Sequence, residues 1–97
     1  MSDAVPSDLL VSASFHVLAD TCPGLLPRLL QPLAKRDLVA DDFHARREGD
    51  VTFVEMALHA VPAGMVHLVA GNLGQVVGVR EVRAVRHRPG EPLRVAA

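Results

Sequence analysis

From Leu9 to Ala19 the chain alternates in steps of two. Phe15, Val17 and Ala19 fall on one face, and Ser14, His16 and Leu18 on the other. That period predicts a strand with one apolar face and one mixed face that meets solvent or a partner. The pattern then breaks at Asp20-Thr-Cys-Pro-Gly24, a run of turn residues. Leu25, Leu26, Leu29, Leu30 and Leu33 follow at helical spacing, on a stripe that predicts a helix to about Arg36. Thr21 is the candidate N-cap. Pro23 or Pro27 fits the first turn, where the missing N–H costs no helical bond. Pro32 removes a mid-helix hydrogen bond and is expected to bend or loosen the last turn. Lys35 and Arg36 are expected in that turn, where cations suit the helix dipole.

Two more strands are predicted after the helix, Leu38 to Ala45 and Val51 to Ala60, joined by the charged turn Arg46-Arg-Glu-Gly-Asp50. Gly49 is the residue there that can take positive φ. In the third strand Val54, Met56 and Leu58 alternate with Phe53, Glu55 and Ala57, and the first set is placed against the helices. Pro62 and Ala63 open a second helix whose stripe is Val66, Val69, Ala70 and Leu73. Gly64, Gly71 and Gly74 weaken it, so it depends on packing. Val79 to Arg86 is the fourth strand, with Val82 and Ala84 inward. Residues 1–8 are expected to be a loose arm and 87–97 a flexible tail.

The order is β-α-β-β-α-β. Two interleaved right-handed crossovers give an α+β, ferredoxin-like sandwich. Its four-stranded antiparallel sheet carries both helices on one face and leaves the other face open. With 97 residues this is one domain, and aromatics are only 3% of it, so the core must be aliphatic. A core that small favours burial against a second copy. A net charge of −1 and the absence of Trp and Tyr give no footing for nucleic acid. No apolar run reaches the length of a membrane span. Residues 1–8 hold neither a basic stretch nor an apolar run, so no secretory leader is expected. Cys22 is the single cysteine, which rules out an internal disulfide. A cytoplasmic location is the expectation.

The loop Thr21-Cys-Pro-Gly24, the helix opening Leu25-Leu26-x-Arg28, its close at Leu33-Ala-Lys-Arg36 and the approach Val77-Gly-Val-Arg-Glu-Val82 resemble ACT domains. These are small amino-acid-sensing modules, and the likeness covers Ala13 to Arg86. Within that superfamily the chain looks most like the regulatory small subunits of acetolactate synthase. The resemblance implies a non-catalytic homodimer, paired edge to edge, acting on the catalytic large subunit in branched-chain amino-acid synthesis. It implies an amino-acid effector at the dimer interface, near Asp20, Thr21, Cys22, Pro23, Gly24, Leu25, Leu26 and Val39. Gly24 matches the loop glycine where the effector nears backbone N–H groups, and a helix N-terminus suits its carboxylate. The chain also departs from the pattern. Many relatives carry Asn or Asp three residues before that glycine, where Thr21 stands here. After the helix they carry Gly and, two residues on, Asn, where Asp37 and Val39 stand.

No cofactor or metal is expected, because no compact ligand motif occurs. Cys22 falls near a helix start, but no histidine is close in sequence to support a nucleophilic role. Arg28 either reaches a carboxylate across an interface or is a solvated helix residue. His16, His44, His59 and His67 read as scattered sheet-face and surface residues, with Glu55 sharing a face with His59. Arg80, Glu81, Arg83, Arg86 and Arg88 read as a solvated or partner-docking edge. Phe43 and Phe53 mark a contact surface if they share the open face, whereas a one-residue error in register would turn them inward. Two other functions fit the same pattern. One is a stand-alone sensor or structural dimer with no enzyme partner. The other is a small dimeric α/β enzyme using His16 or His59 on the open face, which needs a pocket with converging polar groups there.

Overall fold

A computed structural model describes residues 9–87. The expected arm (1–8) and most of the expected tail, with Arg88, lie outside the described residues. The elements are β1 (Leu10–Asp20), α1 (Leu25–Ala34), β2 (Asp42–Glu48), β3 (Val51–Pro62), a 3₁₀ turn (Ala63–Met65), α2 (Val66–Gly74) and β4 (Val79–His87). The sheet order is β2-β3-β1-β4, antiparallel throughout. This is the ferredoxin-like sandwich that the alternation predicts.

The layers meet as expected. Ala13, Phe15, Val17 and Ala19 of β1 are buried with Val54, Met56 and Leu58 of β3. Leu25, Leu29 and Leu33 of α1 and Val66, Val69 and Leu73 of α2 close over the same cluster, so both helices sit on one sheet face. Val82 and Ala84 of β4 pack against that cluster, and Ala70 lies at its edge. Phe15 is its one fully buried aromatic side chain. β3 bulges where Leu58–Val61 faces Ala13–Val11, which returns Val61 to the core side.

Some elements differ from the sequence expectation. The α1 stripe splits. Leu25, Leu29 and Leu33 are buried, but Leu26 and Leu30 remain 37% and 39% exposed. α1 also ends at Ala34, two residues after the buried Pro32, rather than at Arg36. Its close is a Schellman turn: Leu38 N–H donates to Leu33 O (2.9 Å) and Asp37 N–H to Ala34 O (3.2 Å). Asp37 takes the left-handed conformation there, at φ 55°. Lys35 and Arg36 therefore lie past the last helical turn, and the Arg36 guanidinium donates to Asn72 Oδ1 (2.8 Å), tying α1 to α2.

β2 starts at Asp42 and not at Leu38. Leu38 and Ala40 are apolar because they plug the core from a loop, not because they pair in the sheet. Asp41 fixes that loop: its N–H donates to Ala57 O and its carboxylate accepts from His59 N–H. Arg46, Arg47 and Glu48 belong to β2, so the hairpin turn shrinks to Gly49-Asp50, with Gly49 at φ 60°. β3 runs on to Pro62 and β4 to His87, beyond their expected ends at Ala60 and Arg86. Phe43 and Phe53 do not share a face. Phe43 pairs with Met56 and packs on the core, whereas Phe53 pairs with Leu18 on the open face.

A non-glycine residue in the left-handed region costs about 1 kcal/mol. Asp37→Gly is expected to raise the unfolding free energy by about that amount. Asp37→Val is expected to lower it by at least as much, since branched side chains fit that region worst. Urea titration with a common slope for the three proteins measures both changes.

Candidate functional site

β1 ends in a loop that is tied down on both sides. Asp20 N–H donates to Gly78 O (2.8 Å), just before β4, and Thr21 N–H donates to Asp50 O (2.7 Å) in the β2–β3 turn. The Thr21 and Thr52 hydroxyls lie 2.9 Å apart and share a hydrogen bond. Thr21 therefore does not cap α1. The N-cap is Gly24, at φ 79°, and no side chain caps the helix. Pro27 falls in the first turn as required. Leu25 N–H reaches Cys22 O and Arg28 N–H reaches Gly24 O, but the Gly24 and Leu26 N–H groups meet no backbone acceptor among the described residues. The first turn holds no acidic residue, so the positive end of the helix is uncompensated.

These free donors border an open groove of about 420 Å³ between the start of α1 and β2. Cys22, Gly24, Leu25, Leu26 and Pro27 form one wall, and Ala45, Arg47 and Thr52 the other. Arg47 donates to Gly49 O (3.3 Å) and keeps its charge beside the groove. A carboxylate placed there would meet N–H donors, a helix dipole and a guanidinium together. The groove is of the size that small ligands occupy.

The residues expected at the site divide. Cys22, Gly24, Leu25 and Leu26 line the groove. Thr21 stands behind it, held by Thr52. Pro23 is exposed at the bend. The Asp20 carboxylate is turned to Arg80, which donates to it from Nε (2.6 Å), and it does not line the groove. Val39 is 72% exposed in the α1–β2 loop and is also outside the groove lining. Pro27, Ala45, Arg47 and Thr52 were not anticipated. Correct placement of β2 and its inward set 43, 45 and 47 would have found Ala45 and Arg47.

Arg28 folds back along α1. A Cβ built on Gly24 would stand 3.7 Å from its Nη2. Half-buried Cys22 packs against Gly78, where a Cβ would stand 3.7 Å from Sγ. Gly78 holds φ 94°, so the loop and the start of β4 approach closely where a side chain is disfavoured. On the open face Glu55 pairs with His16 (Nδ1–Oε1 3.5 Å) rather than with His59, which lies 3.8 Å from Asp42. Among the described residues no set of three His, Cys, Asp or Glu side chains gathers to hold a metal. No helix there is long and apolar enough to cross a membrane.

Solved structures share this architecture. The crystal structure of the ACT domain from GTP pyrophosphokinase of Chlorobium tepidum superposes with a TM-score of 0.69 at 12% identity, over 78% of this chain and 99% of that one. The fold is that of ACT domains. Homoserine dehydrogenase from Thiobacillus denitrificans matches with a TM-score of 0.70 at 14% identity, over 89% of this chain but 20% of the enzyme. An uncharacterised protein from Thermotoga maritima matches with a TM-score of 0.67 at 14% identity, over 81% of this chain and 99% of that one. No family model and no curated protein matches the sequence.

The Thr21–Thr52 bond gives a direct test of how the loop is held. Thr52→Val is expected to cost about 1 kcal/mol, since it leaves the half-buried Thr21 hydroxyl without its partner. The double variant with Thr21→Val is expected to cost little more than either single change, which thermal denaturation of the full cycle would show.

Proposed function

We propose that this chain is a non-catalytic regulatory module that takes a small amino acid in the groove at the start of α1. The observation that carries the reading is the uncapped helix N-terminus. It offers the Gly24 and Leu26 N–H groups beside Arg47, in an ACT fold. The α-carboxylate would sit on those donors, and an aliphatic side chain would lie on Leu25, Leu26 and Ala45. A branched-chain amino acid fits this division into a polar end and an apolar wall. The finer assignment, to the catalytic large subunit of acetolactate synthase as partner, rests on the loop and helix motifs that resemble its small subunits.

The module acts as a homodimer in this reading, joined through β2. That strand is a sheet edge whose inward face no helix covers, since Ala45 is exposed. Leu26, which borders the groove facing Ala45, and Leu30 one turn on keep α1 apolar on its β2 side. β2 is acidic at its start and basic near its end, so antiparallel pairing about His44 sets Asp42 beside Arg46 of the second copy, twice by symmetry. Arg46 now pairs with Glu48 (2.9 Å), both more than half exposed, so re-pairing costs little. The two grooves would then lie near the new interface, where a ligand can favour one arrangement of the dimer over another.

A ligand at 100 times its dissociation constant stabilises the folded state by about 2.7 kcal/mol, a rise on the order of 10 °C in a domain this size. Valine, leucine or isoleucine is expected to give such a shift, and Gly24→Val and Arg47→Ala to remove it. No shift with any proteinogenic amino acid would overturn the effector reading. For the dimer, light scattering is expected to give twice the chain mass. Arg46→Asp should shift it to the monomer, and Asp42→Arg in the same chain should restore the dimer. A monomeric wild type, or a dimer indifferent to both changes, would refute pairing through β2.

A further inference from the structure

The sheet face away from the helices carries a groove of about 620 Å³, larger than the one at α1. Strand register sets two rows across it. In one, His16 lies between Glu55 and Arg83; in the next, Leu18 lies between Phe53 and Glu81. The first row is polar and the second has an apolar floor.

The charges in these rows are not equally matched. Glu55 and His16 already face each other at 3.5 Å, and their side chains are only 23% and 28% exposed. The strand arginines Arg46, Arg47, Arg80 and Arg86 each have an acceptor. Arg83 has none among the described residues, and neither does the Glu81 carboxylate have a donor. Arg83 and Glu81 stand two positions apart on β4, both lining the groove, without pairing with each other. Residues two apart on a strand are separated by about 7 Å. A zwitterion with its ammonium and carboxylate on one carbon spans that gap through one hydrogen bond at each end. Beside them Leu18 and Phe53 offer an apolar surface, and the Arg46 guanidinium lies 5.2 Å from the Phe53 ring centre.

We propose that the open sheet face is a second binding site, for a small zwitterion with an aromatic side chain. Arg83 takes the carboxylate and Glu81 the ammonium, and the side chain lies on Leu18 and Phe53. His16, facing Glu55, borders the carboxylate. This site shares no lining residue with the groove at α1, and it stands whether or not that groove is occupied.

The test is a ¹H–¹⁵N titration of the full chain with phenylalanine, 3-phenylpropionate and phenethylamine. Phenylalanine is expected to give saturable shifts at His16, Leu18, Phe53, Glu81 and Arg83. The two analogues, each lacking one charge, should bind at least about tenfold more weakly. Arg83→Gln and Glu81→Gln should each weaken phenylalanine by about tenfold, while Gly24→Val leaves these shifts in place. Equal binding of either analogue, indifference to both β4 variants, or no saturable shift would overturn the proposal. Shifts confined to residues 22–26 and Arg47 would also overturn it, and would support occupancy of the α1 groove instead.

Discussion

β1 holds the rest in place. It is paired along both sides, to β3 and to β4, and every other layer is positioned against it. Its inward set runs Ala13, Phe15, Val17, Ala19, with small residues at the ends and the large ring in the middle. The small ends leave room for loops and helix ends to come close, while the ring is fully buried in the core that both helices cover. A shift of one residue in this register would turn His16 and Ser14 inward and Phe15 out to solvent. The strand's direction also decides where the chain emerges at Asp20. The groove is built at that point.

What happens at that exit is a matter of backbone bonds more than side chains. The loop is anchored to the start of β4 through Gly78 O and to the β2–β3 turn through Asp50 O. Two elements distant in sequence thereby set the angle at which α1 begins. Gly24 completes the bend in a left-handed conformation, and the first turn is left without a cap. Helix ends left without a cap are weak points in a fold unless something else satisfies them. Here the β2–β3 hairpin brings Arg47 and Thr52 alongside, so the uncapped end is lined rather than bare.

Local pattern made much of this legible. Period-two and helical alternation gave the order of elements, the inward faces of β1, β3 and β4, and the turn that carries Gly24. It failed where apolar residues served a purpose other than regular pairing. Leu38 and Ala40 look like a strand, yet they plug the core from a loop, which displaced β2 by several residues and hid Arg47. Leu26 and Leu30 look like core, yet they stay partly exposed because α1 does not reach over β2. Thr21 looks like a helix cap, but Thr52 claims its hydroxyl, and Arg80 holds the Asp20 carboxylate, both through contacts of long sequence separation. No window of local sequence could show those partners.

The two edges of the sheet are unlike each other, and this bears on how far strands can be added. An open four-stranded sheet has two rows of unpaired backbone groups, each a template for another chain. β2 is mixed in charge along its length. β4 carries Arg80, Arg83 and Arg86 against a single Glu81, so two β4 edges brought together would set like charges side by side. In the proposed pairing through β2, the charges on β4 would oppose addition of a further copy at the other edge, so the sheet would stop at one addition rather than run on into a ribbon.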